Sequence, residues 1–159
     1  MKNYCEIEIV VQQDAHGALQ AHARQRLEQQ DLISPFVPVE LDANASVFLS
    51  GDARLTGNAL SNALLQPPAI RDALVSAKAF AATYKTPLRV RLRIDPATSP
   101  LHYLPWETLT DPGTPDQFLF DNVRCIFSRY LFTRELRLPL LRAKQDMKAL
   151  VAIANPQDL

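Results

Sequence analysis

In LRVRLRID, residues 88–95, apolar and charged side chains alternate without a break. Alternation with a period of two is typical of a β-strand that buries one face and leaves the other polar. The apolar positions are Leu88, Val90, Leu92 and Ile94, and the opposite face carries Arg89, Arg91, Arg93 and Asp95. A half-buried strand is therefore predicted here.

Three arginines on one strand face admit two interpretations. They could bind a phosphate, a carboxylate or a nucleic acid, or they could lie beside an acidic neighbouring strand. Residues 4–11, YCEIEIVV, alternate in the same way and place Glu6 and Glu8 on one face. Cross-strand pairs of opposite charge stabilise a sheet by roughly 0.2–1 kcal/mol each. Because the net charge is zero, no bulk field favours nucleic acid, and we favour the pairing between strands.

The N-terminal segments predict a β-hairpin. Residues 4–11 form its first strand, Gly17 supplies the turn, and residues 18–27, ALQAHARQRL, form the second strand, although their apolar spacing also suits a helix. Pro35 and Pro38 confine residues 34–41, SPFVPVEL, to an edge strand or an extended segment, because proline has no N–H for a sheet ladder.

Two helices are predicted in the middle of the chain. Thr56 caps a short first helix, which Pro67 and Pro68 end. Pro68 suits the first turn of a second helix over residues 68–85. The predicted buried face of this second helix consists of Ile70, Ala73, Leu74, Ala77, Ala81 and Tyr84.

The C-terminal part predicts further strands. Residues 110–117, TDPGTPDQ, indicate a surface loop, and residues 118–131 indicate two strands joined by a turn at Asp121–Asn122. The apolar run at 149–154 is typical of a parallel strand covered on both faces. The predicted class is α/β, with a mixed sheet, an N-terminal hairpin, two central helices and a C-terminal parallel strand, in one domain over 1–159. A parallel strand needs a crossover helix after it, so we expect the domain to continue beyond residue 159 and the 149–154 strand to dock a partner.

Composition argues against several classes of protein. The four glycines are scattered, whereas phosphate-cradling loops need them clustered. No His, Cys, Asp or Glu set has metal-binding spacing, so no metal or cofactor is assigned. No secretory signal and no apolar run near the roughly 20 residues of a membrane span are found. Two distant cysteines make no disulfide framework, which fits a reducing, cytoplasmic location.

A cysteine–histidine nucleophile is the first catalytic pair to consider. Cys125 lies within VRCIFSRY between bulky apolar residues, which favours a buried structural thiol in mid-strand, and Cys5 is interpreted in the same way. His102 is interpreted as a loop residue, and His16 and His22 as surface residues of the hairpin. We therefore assign no catalytic residue.

The segment from residue 88 to 131 resembles the N-terminal part of the CHAT family, caspase-like peptidase domains that are often joined to tetratricopeptide repeats in bacteria. It shows an Arg/Leu-alternating strand, a short loop, Leu-Pro-Trp-Glu-x-Leu, an acidic turn, Phe-Leu, and an apolar strand with Arg-Tyr-Leu. Residues 55–74 resemble the paired helices of the family, and residues 138–159 its link into the caspase-like core. The most specific element comprises Leu104, Pro105, Trp106, Glu107 and Leu109.

The resemblance implies a peptidase dyad made of a histidine beside a glycine and a cysteine after a later strand. Neither the histidine motif nor the cysteine motif occurs in this sequence. In the family both motifs follow the region that corresponds to residues 149–159. We thus expect a structural and regulatory N-terminal portion of a caspase-like cysteine peptidase, which is not an enzyme on its own. The expected partners are the catalytic half, in cis or as a separate chain, and tetratricopeptide or other sensor domains; neither a membrane nor a nucleic acid is expected.

Two alternatives remain. One is a free-standing module that binds an acidic partner or a nucleic acid through the face formed by Arg89, Arg91 and Arg93. The other, which we favour least, is a small thiol enzyme built on Cys125.

The family motif itself is predicted to be core. Pro105 can begin a helical turn, Glu107 suits the third position of that turn, and the apolar side chains of Leu104, Trp106 and Leu109 can pack against the 88–95 strand.

Overall fold

The computed structural model describes residues 4–26, 31–121 and 123–131. The strands are β1 (Cys5–Gln13), β2 (Leu19–Arg26), β3 (Asp31–Ile33), β4 (Val37–Pro38), β5 (Leu88–Ile94), β6 (Thr110–Asp111), β7 (Thr114–Phe118) and β8 (Cys125–Leu131). The α-helices are α1 (Ala53–Leu64) and α2 (Pro68–Thr83), and short 3₁₀ helices span Ser46–Leu49, Ser99–Tyr103 and Trp106–Thr108. The predicted α/β class is confirmed.

The main sheet is mixed, as predicted. Its strands follow the order β3-β2-β1-β5-β8, and β4 also pairs with β2. β1 and β2 are antiparallel, whereas β5 runs parallel to both β1 and β8. The predicted strand at 88–95 is thus an inner strand with a parallel neighbour on each side. β6 and β7 form a separate two-stranded sheet.

The N-terminal hairpin follows from its turn. Gly17 has a φ of +84°, which glycine adopts without steric penalty. A carboxylate oxygen of Asp14 accepts the N–H groups of His16 and Ala18 at 2.8 and 2.9 Å, which closes the turn. The hairpin is confirmed, and the helical alternative for residues 18–27 is wrong. The edge position predicted from Pro38 is also confirmed, since β4 lies at the margin of the sheet.

Helix α2 covers the apolar face of the sheet. The four apolar residues of β5 are buried, and the thiol of Cys5 in β1 lies 3.7 Å from the carbonyl oxygen of Ala77 in the helix. The helix buries Ile70, Leu74, Ala77 and Ala81. The prediction for Tyr84 is wrong, because the helix ends at Thr83 and the ring of Tyr84, 63% exposed, packs on Phe80 outside the core.

The prediction that Thr56 caps α1 is wrong. The N-cap is Asp52, whose carboxylate accepts the N–H groups of Arg54 and Leu55 at 2.8 and 3.0 Å. Thr56 lies buried within the helix, and its hydroxyl donates to the carbonyl oxygen of Val47 at 3.1 Å. Asp52 satisfies two of the four N–H groups that a helix start leaves without partners.

Residues 110–117 form most of the β6–β7 hairpin rather than the predicted surface loop. Asp111 stabilises its turn by accepting the N–H of Gly113 at 3.0 Å. The first strand that we predicted within 118–131 is also wrong, because β7 already ends at Phe118. The second strand is confirmed as β8, which crosses over to pair with β5. Asp121 lies in the link between β7 and β8.

Several sequence predictions concern residues outside the described ranges. They include Asn122 of the predicted turn and the 149–154 strand with its docking role, which stay predictions. Within the ranges that are described, neither helix combines the length and the apolar character that a membrane crossing requires.

Candidate functional site

The carboxyl ends of β5 and β8 lie at the same edge of the sheet, because the two strands are parallel. Ligand sites of open α/β sheets lie outside this edge. The chain leaves β5 at Asp95, whose N–H donates to the carbonyl oxygen of Val11 at 2.9 Å. It then forms the 3₁₀ helix Ser99–Tyr103 and reaches residues 104–109, LPWETL, which we term the signature segment. The signature segment therefore follows directly on the edge where a site is expected.

Trp106 is the centre of the signature segment. Its side chain is 0% exposed, and its indole N–H donates to the carbonyl oxygen of Leu101 at 2.8 Å. Leu104 and Leu109 are buried with it, which confirms the prediction that the motif is core. The predicted helical turn is a single 3₁₀ turn, Trp106–Thr108, so Glu107 is its second residue rather than its third. The ring is satisfied in both packing and hydrogen bonding, and this leaves no polar atom of Trp106 for a ligand.

Helix α1 holds the far end of the signature segment at close range. A Cβ added to Gly57 would overlap the carbonyl oxygen of Thr108. One turn later, the hydroxyl of Ser61 donates to the carbonyl oxygen of Thr110 at 2.9 Å and accepts its N–H at 2.8 Å. The hydroxyl of Thr110 donates to the side-chain oxygen of Asn58 at 2.8 Å. Gly57, Asn58 and Ser61 of α1 therefore fix how the chain leaves the signature segment.

Arg129 of β8 ties the same segment to the sheet. Its guanidinium donates to the carbonyl oxygens of His102 and Leu104 at 3.2 and 3.1 Å. The other terminal nitrogen lies 3.7 Å from the carboxylate of Glu107. Because a guanidinium has several N–H groups in a fixed plane, one side chain can hold two backbone carbonyls and a carboxylate together. Arg129 thereby joins β8 to the signature segment and to the 3₁₀ helix that precedes it.

Neither cysteine has the surroundings of a nucleophile. Burial raises the pKa of the Cys125 thiol to about 11, with Asp111 adding to the rise and Lys78 opposing it. Burial likewise raises the pKa of Cys5. Cys125 is the first residue of β8, so the predicted mid-strand position is wrong, and its side chain is half-buried against the core. A neutral thiol at physiological pH is a poor nucleophile, because the thiolate is the reactive form.

The three histidines occupy separate places. His102 lies in the 3₁₀ helix Ser99–Tyr103 rather than in a loop, and its ring is 3.3 Å from the carbonyl oxygen of Asp95. His16 is exposed at the hairpin turn, as predicted. The prediction that His22 is a surface residue is wrong. Its ring packs edge-on against Phe36 at 4.4 Å, and burial together with the charge of Arg93 lowers its pKa. In the described part of the chain, no hydrogen bond joins a histidine to a cysteine.

The comparison with protein families agrees with this geometry. The model of the CHAT domain matches residues 54–159, about two-thirds of the chain. The chain belongs to the CHAT family. Neither the curated proteins nor the solved structures include a match. The family assignment made from the signature segment is therefore confirmed, and its boundary near residue 55 agrees with the start of α1.

The arginine face of this CHAT chain pairs with acidic residues of β1. The register places Arg89 opposite Glu6 and Arg91 opposite Glu8. The guanidinium of Arg91 lies 3.3 Å from the carboxylate of Glu6, and that of Arg89 lies 4.0 Å from it. Arg91 also stacks over the ring of Tyr130 at 4.4 Å, and the Tyr130 hydroxyl contacts the Glu8 carboxylate. The predicted pairing of the two charged strands is confirmed.

Sequence reasoning missed the residues that position the signature segment. Arg129 was part of the Arg-Tyr-Leu element of the family resemblance, but nothing in the local pattern showed which carbonyl groups it would bind. Gly57 lies within a helix, where glycine is unfavourable by roughly 1 kcal/mol relative to alanine. A glycine at such a position was the one feature of the sequence that could have indicated a close contact with another part of the backbone. Within the described ranges, no group of three or more His, Cys, Asp or Glu residues could hold a metal ion.

Proposed function

We propose that this CHAT-family chain is the structural and regulatory portion of a caspase-like cysteine peptidase. In this proposal the catalytic histidine and cysteine belong to a caspase-like half, in cis or on a separate chain. The present domain supplies the platform on which that half is held. Tetratricopeptide or other sensor domains are the proposed source of the activating signal.

The single observation that carries the proposal is the state of the signature segment. The most specific element of the family is here a buried tryptophan with a satisfied indole N–H, enclosed by α1 and anchored by Arg129. In a segment built in this way the tryptophan has no polar atom left for chemistry, and the segment lies beside the carboxyl edge of β5 and β8. Catalytic groups need support that holds them to within a fraction of an ångström, and such an edge supplies it.

The cysteines and histidines support the same division of labour. Cys125 has a pKa of about 11, Cys5 is buried, and His22 lies on the opposite face of the sheet from Cys5, because it pairs with Val10 rather than with Ile9. A peptidase dyad needs a thiolate within hydrogen-bond reach of an imidazole. These residues do not supply one.

The test is the peptidase activity of the chain together with a caspase-like catalytic half. With a fluorogenic peptide as substrate, we expect Arg129→Met to lower kcat/KM about tenfold or more, because its loss frees two backbone carbonyl groups and lets the edge shift. The matched control is Arg71→Met, which removes an exposed arginine of α2. Full activity of a folded Arg129→Met variant would contradict the proposal, as would peptidase activity of residues 1–159 alone that Cys125→Ser abolishes.

The interaction-module alternative makes a different prediction. If Arg89, Arg91 and Arg93 bound an acidic partner or a nucleic acid, affinity would fall steeply with salt concentration, because such contacts release counterions. The ion pairs of Arg89 and Arg91 with Glu6 give two of these side chains a role inside the sheet. We therefore favour the platform role.

A further inference from the structure

Residues 31–38 run along the outer side of β2 as an edge strap, which comprises β3, β4 and the turn between them. Six of these eight residues are exposed, so the strap buries little apolar surface. The N–H of Ser34 donates to the carbonyl oxygen of Ala23 at 2.8 Å, and the Ser34 hydroxyl oxygen accepts the N–H of Ala23 at 2.9 Å. Pro35 and Pro38 have no N–H to add to this ladder. Segments with few buried contacts open locally before the rest of a domain does.

His22 of β2 is the ring on which the strap rests. The ring of Phe36 packs edge-on against it, with the centroids 4.4 Å apart. The Nδ1 atom of His22 is sealed from solvent and has no hydrogen-bond partner among the residues that the structure describes. A neutral imidazole has one ring nitrogen without a proton, whereas an imidazolium carries an N–H at both nitrogens. Protonation of His22 would therefore place an unpaired donor beneath the strap.

The surroundings of His22 favour its neutral form. Burial is the largest cause that lowers the pKa of His22, and the charge of Arg93 in β5 is the next. Glu8 of β1 opposes this lowering, and Arg24 of β2 adds to it. The carboxylate that the strap itself carries, Asp31, pairs with Arg24. The closed strap thus covers a neutral histidine at neutral pH.

An open strap would change the protonation of His22. Exposure of the ring to water returns its pKa to the ordinary 6.5. Since the pKa is lower in the closed state than in the open state, a falling pH favours the open state. The ring is neutral in both states well above pH 6.5, so the closed state is not opposed there. Below pH 6.5 the open state gains the proton first.

We propose that the contact between His22 and Phe36 is an acid-sensitive device that holds the edge strap closed at neutral pH and releases it as the pH falls below about 6.5. Release leaves the outer edge of β2 without its neighbours, and an uncovered strand edge can pair with another strand. The device lies at the opposite margin of the sheet from β8 and Arg129, and it goes beyond the platform role.

The test is amide hydrogen exchange of the ¹⁵N-labelled chain at about pH 7.5 and about pH 5.5, with each rate divided by the intrinsic rate at that pH. The amide of Ser34 reports the strap. Its opening constant should rise about threefold to tenfold at the lower pH, because one pH unit below the ordinary pKa gives at most about tenfold. The amide of Leu88, which donates to the carbonyl oxygen of Arg124 inside the sheet at 2.7 Å, is the internal control and should not change. An equal rise at Ser34 and Leu88 would assign the effect to unfolding of the whole chain and overturn the proposal.

Two variants separate His22 from other titrating groups. His22→Gln removes the titrating ring, so the opening constant of Ser34 should become the same at both pH values. His16→Gln is the matched control, because it removes an exposed histidine of the same hairpin, and it should keep the pH dependence of the wild type. A pH dependence that persists in folded His22→Gln would overturn the proposal.

A second measurement uses the wild type only and does not depend on the folding of a variant. The carbon-bound ring protons of His22 are followed by NMR as the pH is lowered. We expect a titration midpoint below 6.5, and a change in the ring resonances of Phe36 over the same pH interval as the contact opens. A midpoint at or above 6.5, or Phe36 resonances that do not follow the titration of His22, would overturn the proposal.

Discussion

Replacement of Trp106 by alanine tests most sharply whether the signature segment is core. The side chain is 0% exposed, and truncation of a buried large aromatic residue to alanine typically destabilises a protein by about 3–5 kcal/mol. Loss of the indole donor also leaves the carbonyl oxygen of Leu101 without its 2.8 Å partner. Trp106→Phe keeps most of the ring and loses that bond, so it should destabilise by roughly 1–3 kcal/mol.

The assay is urea unfolding followed by far-ultraviolet circular dichroism. Tryptophan fluorescence cannot serve, because Trp106 is the only tryptophan of the chain. The control is Tyr103→Ala, three residues away, whose side chain is 85% exposed and whose loss should change the free energy of unfolding by less than about 0.5 kcal/mol. Wild-type stability of Trp106→Ala would contradict the burial of the ring, and a Trp106→Phe variant as stable as the wild type would contradict the contribution of the indole hydrogen bond.

Three further predictions concern stability. Gly57→Ala should destabilise the chain by about 1–3 kcal/mol or prevent folding, because the added methyl group overlaps the carbonyl oxygen of Thr108. Thermal unfolding measures the effect, with Ala59→Gly as a second change in the same helix that creates no overlap. A Gly57→Ala variant more stable than the wild type would contradict the close contact. Asp52→Ala should lower the free energy of unfolding in urea by about 1 kcal/mol, as the loss of an N-cap typically does. An unchanged midpoint would contradict the capping role of Asp52 and favour Thr56 as the cap. Burial raises the pKa of Cys125 to about 11 in the folded chain, against an ordinary 9.0, so the contribution of the thiol to the free energy of unfolding is complete below pH 9 and is lost between pH 9 and 11, where only the unfolded chain releases the proton. The stability of Cys125→Ser should therefore fall less than that of the wild type over this pH range. An identical fall in both proteins would contradict the burial of the thiol.

The parts of the fold that sequence predicted are those with a local signal. The alternation in β1 and β5 identified both strands and the faces of their charges, and the turn at Gly17 identified the hairpin. Burial of the apolar positions enforces such alternation, because a shift of one residue would turn every side chain to the wrong face. The helix boundary at Pro68 is local in the same sense, since proline suits a first turn and resists later ones.

The parts that sequence did not predict depend on which of several equivalent residues the tertiary structure uses. Asp52 and Thr56 are both good N-cap residues four positions apart, and burial of Thr56 inside α1 decided between them. Tyr84 follows the helical spacing of α2, but the helix ends one residue before it. The contacts of Arg129 with backbone carbonyl groups 25 and 27 residues away had no counterpart in any local pattern.

The most direct test of the central claim, that these residues form a platform and hold no catalytic centre, is labelling of the purified chain with a peptidyl acyloxymethyl ketone. Such probes alkylate the activated thiolate of a cysteine peptidase, and intact mass spectrometry counts the adducts. Because burial raises the pKa of both Cys5 and Cys125, we expect no adduct on the native chain at neutral pH, and labelling only after unfolding in urea. A rapid, saturable adduct on native Cys125 would contradict it.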